Sequence, residues 1–348
     1  MSEKQKLSEL PIELLEKVGH KPGEVIGKTL QTDVLANARR AAEAHRRVRY
    51  HLQNNLRPGM TLSEICSLVE NSTTTLLKGE LNDGLGFPTG VSLNDCAAHY
   101  SVNPGDEEIF LKETDVLKVD FGTHVNGVIM DSAFTVTWDP KMNKLLEASK
   151  EATEKGIKTM GVDVCVGEIG REISEVINSY ELMLDGKRVP IKPVMNLNGH
   201  SIKPYKIHGG VSIPLVENDD PDRLEADGFY ALETFATTGN GMVKDGPNCS
   251  HFMLTNPNKF MVSNPKNVKV LQIIKKHIKT LPFSARFIDR HYDFKTSSLI
   301  SLKNLAMLGL LEPYPPLHDI KGSFVSQFEH TVYLNEETKE ILTRGEDY

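Results

Sequence analysis

Hydrophobic and polar positions along the chain predict two rounds of helices followed by strands. From Asp33, which can cap a helix, residues 34–53 are rich in helix formers, and Thr61 precedes Glu64 at the spacing of a capping box. Residues 82–95 are rich in glycine, proline and asparagine, which predicts a loop. A polar, loosely structured lead-in over residues 1–30 is expected before these two helices.

The clearest extended segment covers residues 115–138, where two runs of strand-forming residues flank Asn126-Gly127. Asn-Gly between such runs is the strongest short signal for a two-residue hairpin turn. In that register Asp120 lies opposite Ala133. Asp131, two residues from Ala133, is then a diagonal neighbour of Asp120 on the same face, with Cα atoms roughly 7–8 Å apart.

The second half of the chain repeats this alternation and then departs from it. The pattern is helical from about residue 141 to 184, and short apolar runs follow between 189 and 242. Residues from about 250 to 318 are helical and locally basic, which predicts a helical insert that ends at a proline-rich turn. Residues 324–332 have the pattern of a final strand.

Three short motifs recur in the same order, roughly 100 residues apart. Residues 62–65 resemble 166–169, residues 99–104 resemble 200–204, and residues 119–121 resemble 232–234. The third motif is followed by Asn-Gly in both halves, which predicts a carboxylate on a hairpin in each. We therefore expect a duplicated α/β (α+β) fold, with helices outside two β layers and a pseudo-twofold axis, as one domain over residues 31–348.

Composition and charge limit the possible functions. Of the 348 residues, 39% are hydrophobic and 25% are charged, which is typical of a globular protein, and the net charge of −7 argues against binding nucleic acid or an anionic membrane. Four cysteines without a C-x-x-C pair indicate a reducing compartment. Because neither a signal peptide nor a long apolar run is evident, we expect a cytoplasmic protein.

Lone acids within apolar strand segments are the main chemical anomaly. Asp120, Asp131, Glu233 and Glu329 each stand among apolar and β-forming residues, where a carboxylate is costly to bury without a counter-charge. These faces are either solvated, or they hold cations together with His200, which lies in a turn of small residues. An oxygen-rich set with one histidine suits Mn, Fe, Co or Zn in a two-metal site.

A two-metal site would provide a hydrolytic nucleophile. Two ions roughly 3.5–4 Å apart lower the pKa of a shared water towards 7. His99 and His208 also lie among small residues, and either could donate to a substrate carbonyl or to a leaving amine. The alternative for each of these two histidines is a structural role.

Five blocks of sequence carry a family resemblance. They are DCAAHYSVNPGDE (95–107), VLKVDFGTHVNGVIMDSAFTV (116–136), NLNGHSIKPYKIHGG (196–210), YALETFATTGNG (230–241) and YPPLHDIKGSFVSQFEHTV (314–332). In order and spacing they resemble type 2 methionine aminopeptidases, which share the duplicated pita-bread fold with prolidases and creatinase. The resemblance covers the chain from about residue 30 onwards. It is closest to eukaryotic members, in a short form without their charged N-terminal extension.

The resemblance implies an activity and a role for each site residue. The expected enzyme is a metalloaminopeptidase that removes the N-terminal methionine from nascent proteins and peptides when the second residue is small. The implied ligands of two divalent metal ions are Asp120, Asp131, His200, Glu233 and Glu329, with Glu233 also the general base for attack by the metal-activated water. The implied substrate contacts are His99 and His208, both catalytic, and a methionine pocket of Phe87, Ile207, His251 and Tyr314. Fumagillin-like epoxides are expected to alkylate His99.

Two competing interpretations stay open at this stage. An X-Pro peptidase would use the same ligand types, but such enzymes usually carry a separate N-terminal domain, and only about 30 residues precede the first helix here. A non-enzymatic binding protein on this scaffold would have lost ligands, whereas all five are present. The expected partners are nascent N-termini and, through the family, the ribosome. No obvious exposed apolar stripe is evident, which predicts a monomer.

Overall fold

The computed structural model describes residues 23–78, 82–256, 262–292, 294 and 297–348. The helices are α1 (Asp33–Asn55), α2 (Leu62–Leu77), α3 (Asn143–Thr159), α4 (Val166–Asn178), α5 (Pro265–Ile273), α6 (Ala285–His291) and α7 (Leu299–Met307), with a π-helical turn at Ile274–Ile278. The strands of the first half are β1 (Glu24–Gly27), β2 (Asp83–Leu85), β3 (Gly90–Leu93), β4 (Cys96–Ala98), β5 (Val116–Val125) and β6 (Val128–Thr137). The later strands are β7 (Glu181–Leu184), β8 (Lys187–Pro190), β9 (Lys192–Pro193), β10 (Asn198–Ile202), β11 (Ser212–Pro214), β12 (Gly228–Thr237), β13 (Lys244–Asp245), β14 (His251–Leu254), β15 (Phe283–Ser284), β16 (Leu311–Tyr314), β17 (Leu317–His318), β18 (Val325–Asn335) and β19 (Thr338–Ile341).

The first unit packs α1 and α2 on a four-stranded sheet of β2, β3, β5 and β6. Thr32, rather than Asp33 as predicted, caps α1, because its hydroxyl accepts a hydrogen bond from the Leu35 N–H. The capping box of Thr61 and Glu64 at the start of α2 is confirmed. The prediction of a loop over residues 82–95 is wrong, since β2 and β3 lie in this stretch. Backbone pairing with β5 holds these two short strands despite their poor strand propensity.

The β5–β6 hairpin has the predicted register. Asn126 and Gly127 both have positive φ, 51° and 80°, as a type I′ turn requires. Asp120 pairs with Ala133, and Asp131 pairs with Gly122. Because side chains alternate between faces, Asp120 and Asp131 lie on the same face of the hairpin. The turn chemistry of two residues thus sets the relative position of two acids.

The second unit is a seven-stranded sheet with α3 and α4 packed against it. The strand order is β1-β19-β18-β12-β10-β11, and β9 also pairs with β12. Helices α2 and α4 begin at the two copies of the first repeated motif, at Leu62 and Val166. The prediction that Asn240-Gly241 closes a second hairpin is wrong. β12 pairs with β9 and β10, which precede it, and with β18, which follows only after the insert, so the second carboxylate lies on a long-range strand pair.

The insert combines strands with helices, so its description as simply helical is corrected. Strands β14, β15 and β16 form a small sheet, in which His251 pairs with Tyr314. The register therefore brings together two predicted pocket residues that are far apart in sequence. The Glu70 carboxylate of α2 forms salt bridges with Arg286 and Arg290 of α6, which attach the insert to the first unit.

The start of the described chain is more ordered than predicted. Residues 24–27 of the expected lead-in form β1, which pairs with β19 at the edge of the large sheet. The rest of that lead-in, residues 1–22, lies outside the described residues. Within the described ranges, no helix is long and apolar enough to cross a membrane.

Candidate metal centre

A cavity of about 80 Å³ lies where the two units meet, and every predicted site residue lines it. These residues are Phe87, His99, Asp120, Asp131, His200, Ile207, His208, Glu233, His251, Tyr314 and Glu329. The wall also includes Pro88, Gly90, Ala98, Leu197, Phe235 and Pro282, which were not predicted. Long-range strand pairing brings together positions that are separated by more than half of the sequence.

Two groups of potential ligand atoms share Glu329. One group is Asp131, His200 and Glu329, and the other is Asp120, Glu233 and Glu329, and within each group the ligand atoms lie within 4.8 Å of one another. The His200 Nε2 lies 3.6 Å from an Asp131 oxygen. The strand pair β12–β18 sets Glu233 directly opposite Glu329. Two overlapping groups with a common carboxylate have the layout of a two-metal site.

The oxygens in this cavity have few protein partners, which is the test of whether cations fit. Asp120 Oδ1, Asp131 Oδ1 and both carboxylate oxygens of Glu329 are buried without a hydrogen bond to the described residues. Buried carboxylate oxygens are normally satisfied by hydrogen bonds or coordinate metals. Oxygens from four acids with one imidazole match the preference of Mn, Fe, Co and Zn. The donor set therefore fits divalent cations.

The pKa values of these groups point the same way. Burial raises the pKa of Asp120 to about 6, and burial together with the neighbouring carboxylates raises the pKa values of Asp131, Glu233 and Glu329 well above their usual range. Burial, with His208 nearby, lowers the pKa of His200 to about 3. Without cations, burial and the neighbouring carboxylates favour the protonated forms of Asp131, Glu233 and Glu329. The neutral imidazole of His200 is the form that binds metal.

Gln327 lies among the predicted ligands but was not predicted from the sequence. Its Nε2 donates to Asp120 Oδ2 at 3.1 Å and to Glu233 Oε2 at 3.0 Å, so one amide joins acids of the two units. It stands two residues before Glu329 on β18 and so faces the same side of the sheet. That spacing was the available signal, although an isolated glutamine in a strand carries no electrostatic anomaly.

Hydroxyl groups join β6 to β18 at this centre, in place of strand pairing. Thr331 Oγ1 accepts from the Asp131 N–H at 2.8 Å and donates to the Asp131 carbonyl at 2.7 Å. Thr135 Oγ1 makes the same pair of bonds with Gln327, at 2.8 and 2.7 Å. Ser132 Oγ donates to the Glu329 carbonyl at 2.6 Å. This hydroxyl seam fixes the backbone positions of Asp131 and Glu329 relative to each other.

The histidines form a second cluster beside the acids. The ring centroid of His99 lies 5.8 Å from that of His251 and 5.9 Å from that of Tyr314, and the His200 and His208 rings are 4.7 Å apart. Burial lowers the pKa of His99 to about 4, so the ring is neutral near pH 7. His99 has a φ of 63°, which is uncommon for a residue other than glycine and typical of functional sites.

The apolar end of the cavity depends on a close approach between Phe87 and β5. A Cβ placed on Gly122 would overlap the Phe87 ring. Gly122 pairs with Asp131 in the hairpin, so the glycine that admits the aromatic ring lies opposite a predicted ligand. Ile207 is buried beside His208, and His251 and Tyr314 come from the insert.

Comparison with known proteins identifies the family. The model of metallopeptidase family M24 matches residues 36–280. The chain belongs to metallopeptidase family M24. Within this family it is 56% identical to Methionine aminopeptidase 2 of Encephalitozoon intestinalis, over 98% of this chain and 97% of that protein. The resemblance to type 2 methionine aminopeptidases is thereby confirmed.

Solved structures confirm the expected fold of this M24 member. A thermophilic Arx1 superposes with a TM-score of 0.72 at 16% identity, covering 88% of this chain and 90% of that one. A methionine aminopeptidase of Thermotoga maritima superposes with a TM-score of 0.62 at 18% identity, covering 92% of this chain and all of the other. The chain thus has the duplicated pita-bread fold, and M24 membership makes it a metal-dependent peptidase.

Proposed function

We propose that this protein is a methionyl aminopeptidase, which removes the N-terminal methionine from proteins and peptides and prefers a small second residue. The observation that carries the proposal is the convergence of four acids and one histidine in two groups that share Glu329. The close relatives named Methionine aminopeptidase 2 support the methionine specificity. Nascent polypeptides with an exposed N-terminus are the proposed partners, and the proposed location is the cytoplasm.

Asp120, Asp131, His200, Glu233 and Glu329 would hold two divalent ions, drawn from Co, Mn, Fe or Zn. When bound, such ions polarise a carbonyl and lower the pKa of water towards 7. The buried oxygens that lack protein partners support this assignment. Glu329 belongs to both groups of ligand atoms, whereas Asp131 belongs to the group with His200.

Glu233 is the proposed general base. Gln327 donates to one of its carboxylate oxygens, which orients the side chain and leaves the other oxygen free to accept a proton. The Glu233 carboxylate lies in the cavity with the other acids. It would accept a proton from the attacking water and pass it to the leaving amine.

His99 and His208 are the proposed substrate contacts. Because burial lowers the pKa of His99 to about 4, its ring is neutral near pH 7, and one ring nitrogen is unprotonated and able to accept from a substrate amide. The same nitrogen would be the nucleophile that fumagillin-like epoxides alkylate. His208 is more exposed and would donate to the scissile carbonyl oxygen, where negative charge develops.

The methionine side chain would lie against Phe87, Ile207, His251 and Tyr314. Thioether sulfur makes favourable contacts with aromatic rings, and an unbranched chain suits a narrow apolar cavity. Both insert residues in this wall depend on the β14–β16 pair. The insert would therefore contribute directly to side-chain selection.

A peptide assay tests the proposal. Purified protein, reloaded with Co²⁺ or Mn²⁺ after chelation, is expected to release methionine from Met-Ala-Ser and to leave Ala-Pro peptides intact. Chelation should abolish turnover, and Glu233→Ala or His99→Ala should reduce it far more than it reduces stability. Cleavage of Ala-Pro alone would indicate an X-Pro peptidase. Metal binding without cleavage of either peptide would indicate a non-enzymatic protein.

A further inference from the structure

A fully buried arginine lies behind the metal centre and takes no part in the proposed reaction. Arg49 of α1 has no exposed surface. Its Nε and Nη2 donate to the two oxygens of Asp347 at 2.6 and 2.8 Å, and Nη2 also donates to the Thr343 carbonyl at 2.9 Å. Its Nη1 donates to Ser132 Oγ at 3.0 Å, and Ser132 belongs to the hydroxyl seam. A buried, paired charge thus connects residues 343–347 to that seam.

Tyr348 extends this network to the ligand strands. Its phenol oxygen donates to the Ala133 carbonyl and lies 3.2 Å from both the Glu329 carbonyl oxygen and Ser132 Oγ. Ala133 pairs with Asp120, and Ser132 follows Asp131 in sequence. The phenol group therefore contacts the backbone of one predicted ligand, Glu329, and also contacts Ser132 and Ala133, which are neighbours of Asp131 and Asp120 in the hairpin.

The aromatic ring of Tyr348 is also packed closely by its neighbours. It stacks on His330 with centroids 4.4 Å apart and meets Phe328 edge-on at 5.2 Å, so it contacts both neighbours of Glu329. The Arg49 guanidinium lies 4.4 Å from the ring centroid on its face. The salt bridge to Asp347 and this stacking leave the phenol little freedom to move.

We propose that Tyr348, fixed by the buried Arg49–Asp347 pair, is a positioning residue that sets the backbone of Glu329 and Asp131 for metal binding. The inference rests on the metal site in the proposed function. Carboxylate ligands must be held within about 0.5 Å of their productive geometry, and loss of an outer hydrogen-bond partner typically weakens metal binding about 10–100-fold. Tyr348 contacts no atom that would touch substrate, so its effect acts through the ligand strands.

The test compares two variants that each lose one phenol oxygen. Tyr348→Phe keeps the ring contacts and removes the hydroxyl. Tyr333→Phe is the matched control, since Tyr333 lies four residues beyond Glu329 on the same strand and its hydroxyl donates to Asp227, outside the cavity. Co²⁺ affinity is measured by calorimetry, the Co²⁺ absorption spectrum records the coordination geometry, and melting of the metal-free protein records the fold.

Tyr348→Phe is expected to bind Co²⁺ about tenfold more weakly than wild type, with a changed visible spectrum, and its metal-free melting should resemble that of Tyr333→Phe. Tyr333→Phe should match wild type in both metal readouts. An unchanged affinity and spectrum in Tyr348→Phe, or equal losses in both variants, would overturn the inference. If wild type itself bound no Co²⁺, the proposed function would fail first, so the two failures are distinguishable.

Discussion

At the scale of single residues, the centre is governed by how a buried carboxylate lowers its free energy. It can take up a proton or it can bind a cation, because an unpaired charge in an apolar interior is strongly disfavoured. Glu329 is only 1% exposed, and neither of its oxygens has a hydrogen-bond partner among the described residues. The charged side chain is therefore expected to destabilise the metal-free protein and to stabilise the fold once cations are bound.

Glu329→Gln should consequently stabilise the metal-free protein near pH 8. The folded pKa of Glu329 lies well above its unfolded value of about 4.3, so the glutamate's contribution to stability falls as pH rises between the two values. The advantage of the variant should vanish near pH 4 and reverse in excess metal. Chemical denaturation after chelation measures it.

Glu340→Gln is the control for this prediction. Glu340 is also buried, but it forms a salt bridge with Arg39 at 2.8 Å outside the centre, so loss of its charge should destabilise the protein at pH 8. If Glu329→Gln destabilised the metal-free protein to a similar extent at that pH, Glu329 would not destabilise the metal-free fold as we infer.

Single residues could be selected from the sequence where an ionisable side chain stands in an apolar or small-residue segment. Four acids in apolar strands and a histidine among small residues are anomalies that can be read directly. The turn predicted at His200 is wrong, however, because His200 lies on β10 and pairs with Ala231 of β12. Gln327 was missed because an amide has no charge to bury. Tyr348 was missed because its function depends on where it packs, which no local pattern encodes.

At the scale of elements, the hydroxyl seam between β6 and β18 holds the two halves of the centre in register. Thr331→Val keeps the shape of the side chain but leaves the N–H and the carbonyl of Asp131 without partners. Two unsatisfied buried groups cost about 2–6 kcal/mol. Denaturant unfolding of the metal-free protein would measure the loss.

Thr123→Val provides the comparison, since the buried Thr123 hydroxyl makes one bond, to the Ala41 carbonyl, away from the seam. Its loss should be about half as large. Equal losses of stability in the two variants would mean that the two hydrogen bonds of Thr331 contribute no more than the single bond of Thr123. Metal affinity should fall only in Thr331→Val, because only that variant frees the Asp131 backbone.

Gly122 sets the position of Phe87 across a strand pair, which gives a second prediction for an element. In Gly122→Ala the new Cβ must displace the Phe87 ring, so the KM for a methionyl peptide should rise about tenfold with a smaller change in kcat. Gly84→Ala in β2 of the same sheet meets no atom within 4 Å and should behave as wild type. Unchanged kinetic constants in Gly122→Ala would contradict the assignment of Phe87 to the methionine pocket.

Local patterns predicted elements well where one turn or one cap decides them. The Asn126-Gly127 hairpin and the capping box at Thr61 need only neighbouring residues. Strands β2, β3 and β14 to β16 are short and depend on partners elsewhere in the chain, so the loop and the purely helical insert predicted for them were wrong. The hydroxyl seam joins strands of separate sheets, so no local spacing of residues predicts its hydrogen bonds.

At the scale of the whole molecule, a duplicated unit places two sheets side by side and the centre between them. The repeated motifs indicated the duplication, but the insert separates β12 from β18, so a second hairpin did not form. The same insert returns His251 and Tyr314 to the cavity. Each half supplies part of the proposed ligand set, so we expect neither half alone to hold two metal ions.

Anomalous scattering from crystals grown with ample Co²⁺ or Mn²⁺ would show whether this cavity holds two metal ions. The proposed two-metal site requires two peaks in one cavity, one beside Asp131, His200 and Glu329 and the other beside Asp120, Glu233 and Glu329. Data above and below the metal edge would separate these peaks from other density. No peak among these side chains, or metal bound only elsewhere on the protein, would contradict it.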